Sequence, residues 1–194
     1  MKTKAEKDVL REYRDADAAG RLDIMLGNYG TFPKLIKKLE RKTRYKIKCE
    51  KEYLKSRARE ELGVRVQNSK ISKPTEDEAV ANITLDEAFM TGEIDGTILK
   101  GISNAAEYEA DILTISIMRM DFELLEDFIE ALEDEDVECL KAFLRKQKFI
   151  KELAADRGKT YEAMKKRMDR LRESIREEII DCLEMNCRGG EEDA

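Results

Sequence analysis

The stretch Phe149–Arg172, FIKELAADRGKTYEAMKKRMDRLR, decides how this chain is read. Phe149, Ile150, Leu153 and Ala154 recur at the spacing of a short amphipathic helix, which runs into Gly158. A second, basic helix follows, with Met164, Met168, Leu171 and Ile175 on one face. Two helices joined by a tight glycine-containing turn, with a small residue in the first, is the layout of a helix-turn-helix. Ala154 lets the second helix cross closely, Gly158 can take the positive φ that ends the first, and Thr160 suits the N-cap of the second. With the methionines turned inward, Tyr161, Glu162, Lys165, Lys166 and Asp169 face out, as on a helix that enters the major groove. An ordinary helical hairpin with a solvated charged face is the competing reading of the same window.

The apolar stripe continues through Ile179 and Leu183, so the second helix is predicted to run from Thr160 to about Met185, roughly 39 Å at the usual rise. Its front end is free to enter a groove, while its back end packs on an acidic helix or a second copy. That acidic helix is expected from about Asn104 to Leu132, with Ile112, Ile115, Phe122, Leu125, Ile129 and Leu132 at helical spacing. Asp134, Glu135 and Asp136 then supply caps and first-turn charge for a helix over Val137–Lys146, which Leu140 and Leu144 set against the helix-turn-helix.

Upstream, residues 1–31 read as a charged leader with a weak helical pattern, ending in the turn-like GNYGTFP. From Pro33 to about Arg59, Leu35, Ile36, Leu39, Ile47 and Leu54 mark one long amphipathic helix with a narrow seam, suited to a helical hairpin or a coiled coil. Lys34, Lys37, Lys38, Arg41, Lys42, Arg44, Lys46 and Lys48 make it basic, either as a solvated face or as phosphate contacts. Residues 63–73 read as a mobile linker, and Thr75 with Glu78 has capping-box spacing for a short helix through Val80, Ile83 and Phe89. The predicted organisation is therefore a basic helical region over 1–62, a linker with a short capped helix over 63–101, the acidic helix with the helix-turn-helix over 102–186, and a disordered tail over 187–194.

Composition bounds the function. Two prolines, no tryptophan and abundant Glu, Lys, Arg, Leu and Ala predict an all-α fold. No histidine is present, which removes the commonest general base and metal ligand. Cys49, Cys139, Cys182 and Cys187 lack the spacing of a zinc knuckle and read as reduced thiols. The dense carboxylates lack the glycine-centred loop of an EF-hand, so neither metal, cofactor nor enzymatic activity is expected. No apolar segment resembles a signal peptide or a membrane span, which predicts a soluble cytoplasmic protein without a membrane partner.

Charge is segregated. Residues 1–75 carry 21 Lys and Arg against 11 Asp and Glu, residues 76–138 carry 2 against 20, and residues 139–194 carry 14 against 12. Such blocks imply separate surfaces with separate partners, and the acidic block can screen the basic ones from non-specific DNA.

The supporting helix, the LAADRG turn and the MKKRM–LR run resemble region four of bacterial sigma factors. From the SKPTEDEA segment onward, over roughly residues 70–180, the chain resembles the ArpU/RinA-type transcription regulators of phages and prophages of Gram-positive bacteria. The resemblance implies a sequence-specific DNA-binding regulator working with host RNA polymerase. It also implies base contacts from Tyr161, Glu162, Lys165, Lys166 and Asp169. Lys and Arg can bond guanine edges, and Glu can accept from cytosine. Lys148, Arg157, Lys159 and Arg170 suit phosphates. One departure is that the family has apolar residues on both sides of the turn glycine, where this chain has Arg157 and Lys159. Either their stems cover the core with the heads in solvent, or the turn is remodelled. Two rivals stand beside the regulator: a small charged phage protein that binds and inhibits a host nuclease or polymerase, and a structural coiled-coil homodimer.

Overall fold

In the computed structural model, the backbone is described over residues 3–61 and 74–188, and side chains over 9–57 and 83–185. Every element in the described part is helical: α1 (Thr3–Asp15), α2 (Ala18–Asn28), α3 (Phe32–Glu61), α4 (Pro74–Thr91), α5 (Ala105–Glu130), α6 (Asp134–Leu144), α7 (Ile150–Asp156) and α8 (Tyr161–Arg188). The all-α expectation holds. No described helix is long and apolar enough to cross a membrane. The chain divides into two compact units, one formed by residues 1–35 with 118–194 and the other by 36–117. This division cuts across the sequence-based boundaries, because α3 and α5 each run unbroken from one unit into the other.

The first unit corrects the reading of residues 1–31 as a leader. Asp17 caps α2 by accepting a hydrogen bond from the Gly20 N–H at 2.8 Å. Tyr13, Leu22, Met25, Tyr29 and Phe32 are all buried. Tyr29 and Phe32 both pack on Phe122 of α5, with centroids 5.6 and 5.2 Å apart, and Tyr13 lies 6.0 Å from Phe32. The Tyr13 hydroxyl donates to fully buried Asp121 at 2.7 Å, and the Arg21 guanidinium sits 3.8 Å from the same carboxylate. A buried carboxylate without such partners would be costly, so this trio fixes where α1 and α2 meet α5. The back of α8 packs on α2, not simply on the acidic helix or on a second copy. Arg176 is ion-paired to Asp23 along that contact. Buried Ile175, Ile179 and Leu183 are the α8 residues of this stretch.

In the second unit, Ile36, Leu39 and Ile47 of the predicted α3 seam are buried together with Thr43, and Leu54 is only half-buried, as is Leu35 at the end of the first unit. Two residues of the basic run turn inward. Arg44 pairs with Asp86 at 2.5 Å and Glu40 at 3.0 Å and covers the Phe89 ring, while Lys46 pairs with Asp111 at 4.0 Å beside Tyr108. Glu50 accepts from the Ser103 N–H at 2.8 Å and the Tyr108 hydroxyl at 3.0 Å, which ties α3 to the start of α5. Burial first, and then the Glu50 contact, push the Tyr108 hydroxyl up to about 12.

The helix expected to be short extends to Thr91. Leu85, Ala88 and Phe89 are buried and Ile83 is exposed, so residues 83–101 are packed structure and not linker. The 63–73 linker, the Thr75–Glu78 capping box, Cys187 and the 187–194 tail lie outside the described side chains.

Candidate nucleic-acid interface

The segment from α6 to α8 is built around a small apolar cluster. Cys139 of α6, Leu153 and Ala154 of α7, and Met164 and Met168 of α8 are buried together, with Ala142, Phe143, Ile150 and Leu171 packed against them. The α6 residues that support the pair are thus Cys139, Ala142 and Phe143. Leu140 and Leu144, assigned that task from their spacing, are buried but outside this cluster. The heptad-like step from 140 to 144 and the face one residue away are both apolar, and periodicity alone cannot choose between them.

Two tight turns set the angles. Between α6 and α7, Lys146 takes φ +57°, and the N–H groups of Gln147 and Lys148 return to the Ala142 carbonyl. Glu152 then closes the start of α7 by accepting from the Phe149 N–H at 2.7 Å. Phe149 itself, read as part of the apolar stripe, is exposed because it precedes the helix instead of lying on its inner face. Between α7 and α8, Gly158 takes φ +59°, and the Thr160 hydroxyl accepts from the Ala163 N–H at 3.3 Å. Both roles were legible in the sequence. By contrast, α6 begins at Asp134 and not at Val137, so Asp134, Glu135 and Asp136 supply the expected first-turn charge but do not precede the helix as caps.

On this frame the first turns of α8 present Tyr161, Glu162, Lys165, Lys166 and Asp169, and all five are exposed. Lys165 and Lys166 have no ion-pair partner among the described residues. The four cations assigned to phosphates divide. Lys148 is held by Asp156 at 2.6 Å, a contact that raises its ammonium pKa. Arg157 reaches α6, where it meets Glu135 at 3.0 Å and Glu138 at 3.3 Å. The Arg157 head is thus neutralised by carboxylates of α6 instead of standing alone in solvent. Lys159 and Arg170 carry no carboxylate partner among the described residues.

One residue that the sequence reading passed over belongs with them. Arg167 pairs with Asp136 at 2.5 Å and, together with Lys159 and Arg170, lines an open groove of about 590 Å³ beside α8. Its contact with Asp136 raises its pKa and fixes its head. The available signal was its position between Met164 and Met168 on the edge of the inward stripe, a place where an Arg stem covers apolar surface. Comparison of the chain with protein-family models, with curated proteins and with solved structures finds no match.

Proposed function

We propose that the chain is a sequence-specific DNA-binding transcription regulator of phage or prophage type, acting with host RNA polymerase, and that the exposed face of early α8 enters the major groove. The single observation that carries this reading is the pair Lys165 and Lys166, exposed and without carboxylate partners on a helix whose opposite side is locked by Met164 and Met168. Tyr161, Glu162 and Asp169 complete a face able to donate to guanine and accept from cytosine. Lys159 and Arg170 are then the phosphate-contacting pair, whereas Lys148, Arg157 and Arg167 are engaged by carboxylates. Selection of bound sequences from random duplexes supplies the operator. On that operator Lys165→Glu with Lys166→Glu lowers affinity by about a hundredfold or more, with an unchanged helical circular-dichroism spectrum. Equal affinity of variant and parent would remove the proposal.

A second reading, a helical protein that binds and inhibits a host nuclease or polymerase, is favoured by the loss of Lys148 and Arg157 to internal ion pairs. A stable protein partner recovered from nuclease-treated host lysate, with no duplex selected, would support it over the regulator.

A further inference from the structure

Within the first unit, α5 and the back half of α8 enclose an open groove of about 460 Å³, lined by Met120, Glu123, Leu124, Asp127, Cys182 and Met185. Met120 and Met185 are 42 and 73 % exposed, and Leu124 and Cys182 are half-buried. Met120 with Leu124, and Glu123 with Asp127, stand four residues apart on α5, so an apolar row runs beside an acidic one. On α8, exposed Asp181 stands one turn before Met185. Glu123, Asp127 and Asp181 have no ion-pair partner among the described residues, whereas Lys141 is spent on Glu126 and Glu130. The sequence holds no Lys or Arg from 120 to 140 or from 177 to 187, against ten and four carboxylates. Arg119, the cation next to Met120, does not line the groove. Both walls are therefore apolar at the floor and negative at the rim.

The rim decides among the occupants that an apolar groove can take. A nucleic acid or an anionic lipid surface is repelled by unpaired carboxylates. A second copy seated by the same face would set Glu123, Asp127 and Asp181 against their own counterparts. A cationic helix with one apolar side meets both requirements. Its apolar side chains, one turn apart, enter between the methionines, whose unbranched thioethers adapt to them, and its Lys and Arg reach the free carboxylates.

We infer that the groove between α5 and α8 docks a basic amphipathic helix of a protein partner, with Met120, Leu124 and Met185 on its apolar side and Glu123, Asp127 and Asp181 on its cations. This site is separate from the early α8 face and stands whether or not that face enters DNA.

The test uses the full chain and a fluorescein-labelled helical peptide of about 18 residues, with Leu on one side and Lys on the other, followed by anisotropy. This peptide is expected to bind. A shuffled peptide of the same composition, and a Leu–Glu peptide of the same pattern, bind at least about tenfold more weakly. Met120→Lys with Met185→Lys, and separately Glu123→Lys with Asp127→Lys, each weaken binding by about tenfold or more, while Met120→Leu with Met185→Leu retains it. Glu93→Lys with Glu109→Lys makes the same change in net charge at exposed positions outside the groove and leaves binding within about twofold. Helical circular dichroism checks each fold, and Met185→Lys alone is read if the paired methionine variant loses signal. No binding of the Leu–Lys peptide at about 50 mM salt would overturn the assignment. So would equal binding of the shuffled peptide or an equal loss in the Glu93, Glu109 variant, since either reduces the attraction to net charge. Sedimentation equilibrium of the peptide-free chain supplies the last outcome: a dimer abolished by the paired methionine variant would seat a second copy in the groove and refute the assignment.

Discussion

Gly158 and Lys146 close the two turns around α7 with nearly the same left-handed backbone, at φ +59° and +57°. A Cβ at Gly158 would meet nothing within 4 Å, so the cost of a side chain there is conformational and not steric. Gly158→Ala is therefore expected to destabilise the protein by about 1 kcal/mol, while Lys146→Gly stabilises it by up to about 1 kcal/mol by relieving the strain of a side chain in that region. Urea midpoints followed by far-UV circular dichroism measure both, and a neutral Gly158→Ala would mean that the turn relaxes out of the left-handed region. The glycine was legible because glycine is the residue that such a turn selects. The lysine was not, because nothing in its side chain announces a positive φ. Arg157 teaches the same lesson for charge: its partners Glu135 and Glu138 lie on α6, beyond the helix that Arg157 ends, and a sequence does not state which distant carboxylate a long side chain will reach.

At the level of elements, α2 changes the account most. Leu22, Met25 and Leu26 stand at helical spacing behind a capping Asp17, a signal present in the sequence but diluted by Gly20, Gly27 and Asn28. The helical pattern there is weak enough to read as a charged leader, and burial against α8 makes it part of the fold. Leu22 is fully buried, so Leu22→Ala should cost about 3 kcal/mol. If α2 supports α8 as described, hydrogen exchange in the back half of α8 accelerates together with that in α2. Acceleration confined to α2 would contradict this packing. By contrast α5 and the α7–turn–α8 pair follow their sequence patterns closely, since long runs of period-matched apolar residues leave few alternatives.

Across the whole molecule, a formal net charge of −6 hides blocks of opposite sign. On the proposed reading, the carboxylates of 76–138 repel a polyanion at long range and so oppose indiscriminate binding by the exposed face of α8. Replacing exposed Glu123, Asp127 and Glu133 by Gln, Asn and Gln is expected to raise affinity for random-sequence duplex several-fold at about 50 mM salt. The gain fades by about 200 mM as screening shortens the range, and an unchanged low-salt affinity would show that the acidic block does not screen.

The sequence by itself determined that the chain is helical, where most of the helices run, that Gly158 and Thr160 shape the last turn, and which α8 residues stand exposed. These follow from short-range rules: side-chain period, capping chemistry and glycine's freedom at positive φ. Only the tertiary structure decided that Leu10, Tyr13, Leu22, Met25 and Tyr29 belong to the core, that α3 and α5 each run from one unit into the other, and which cations are spent on internal carboxylates. Those outcomes depend on contacts between residues far apart in sequence, where burial and charge pairing outweigh local preference.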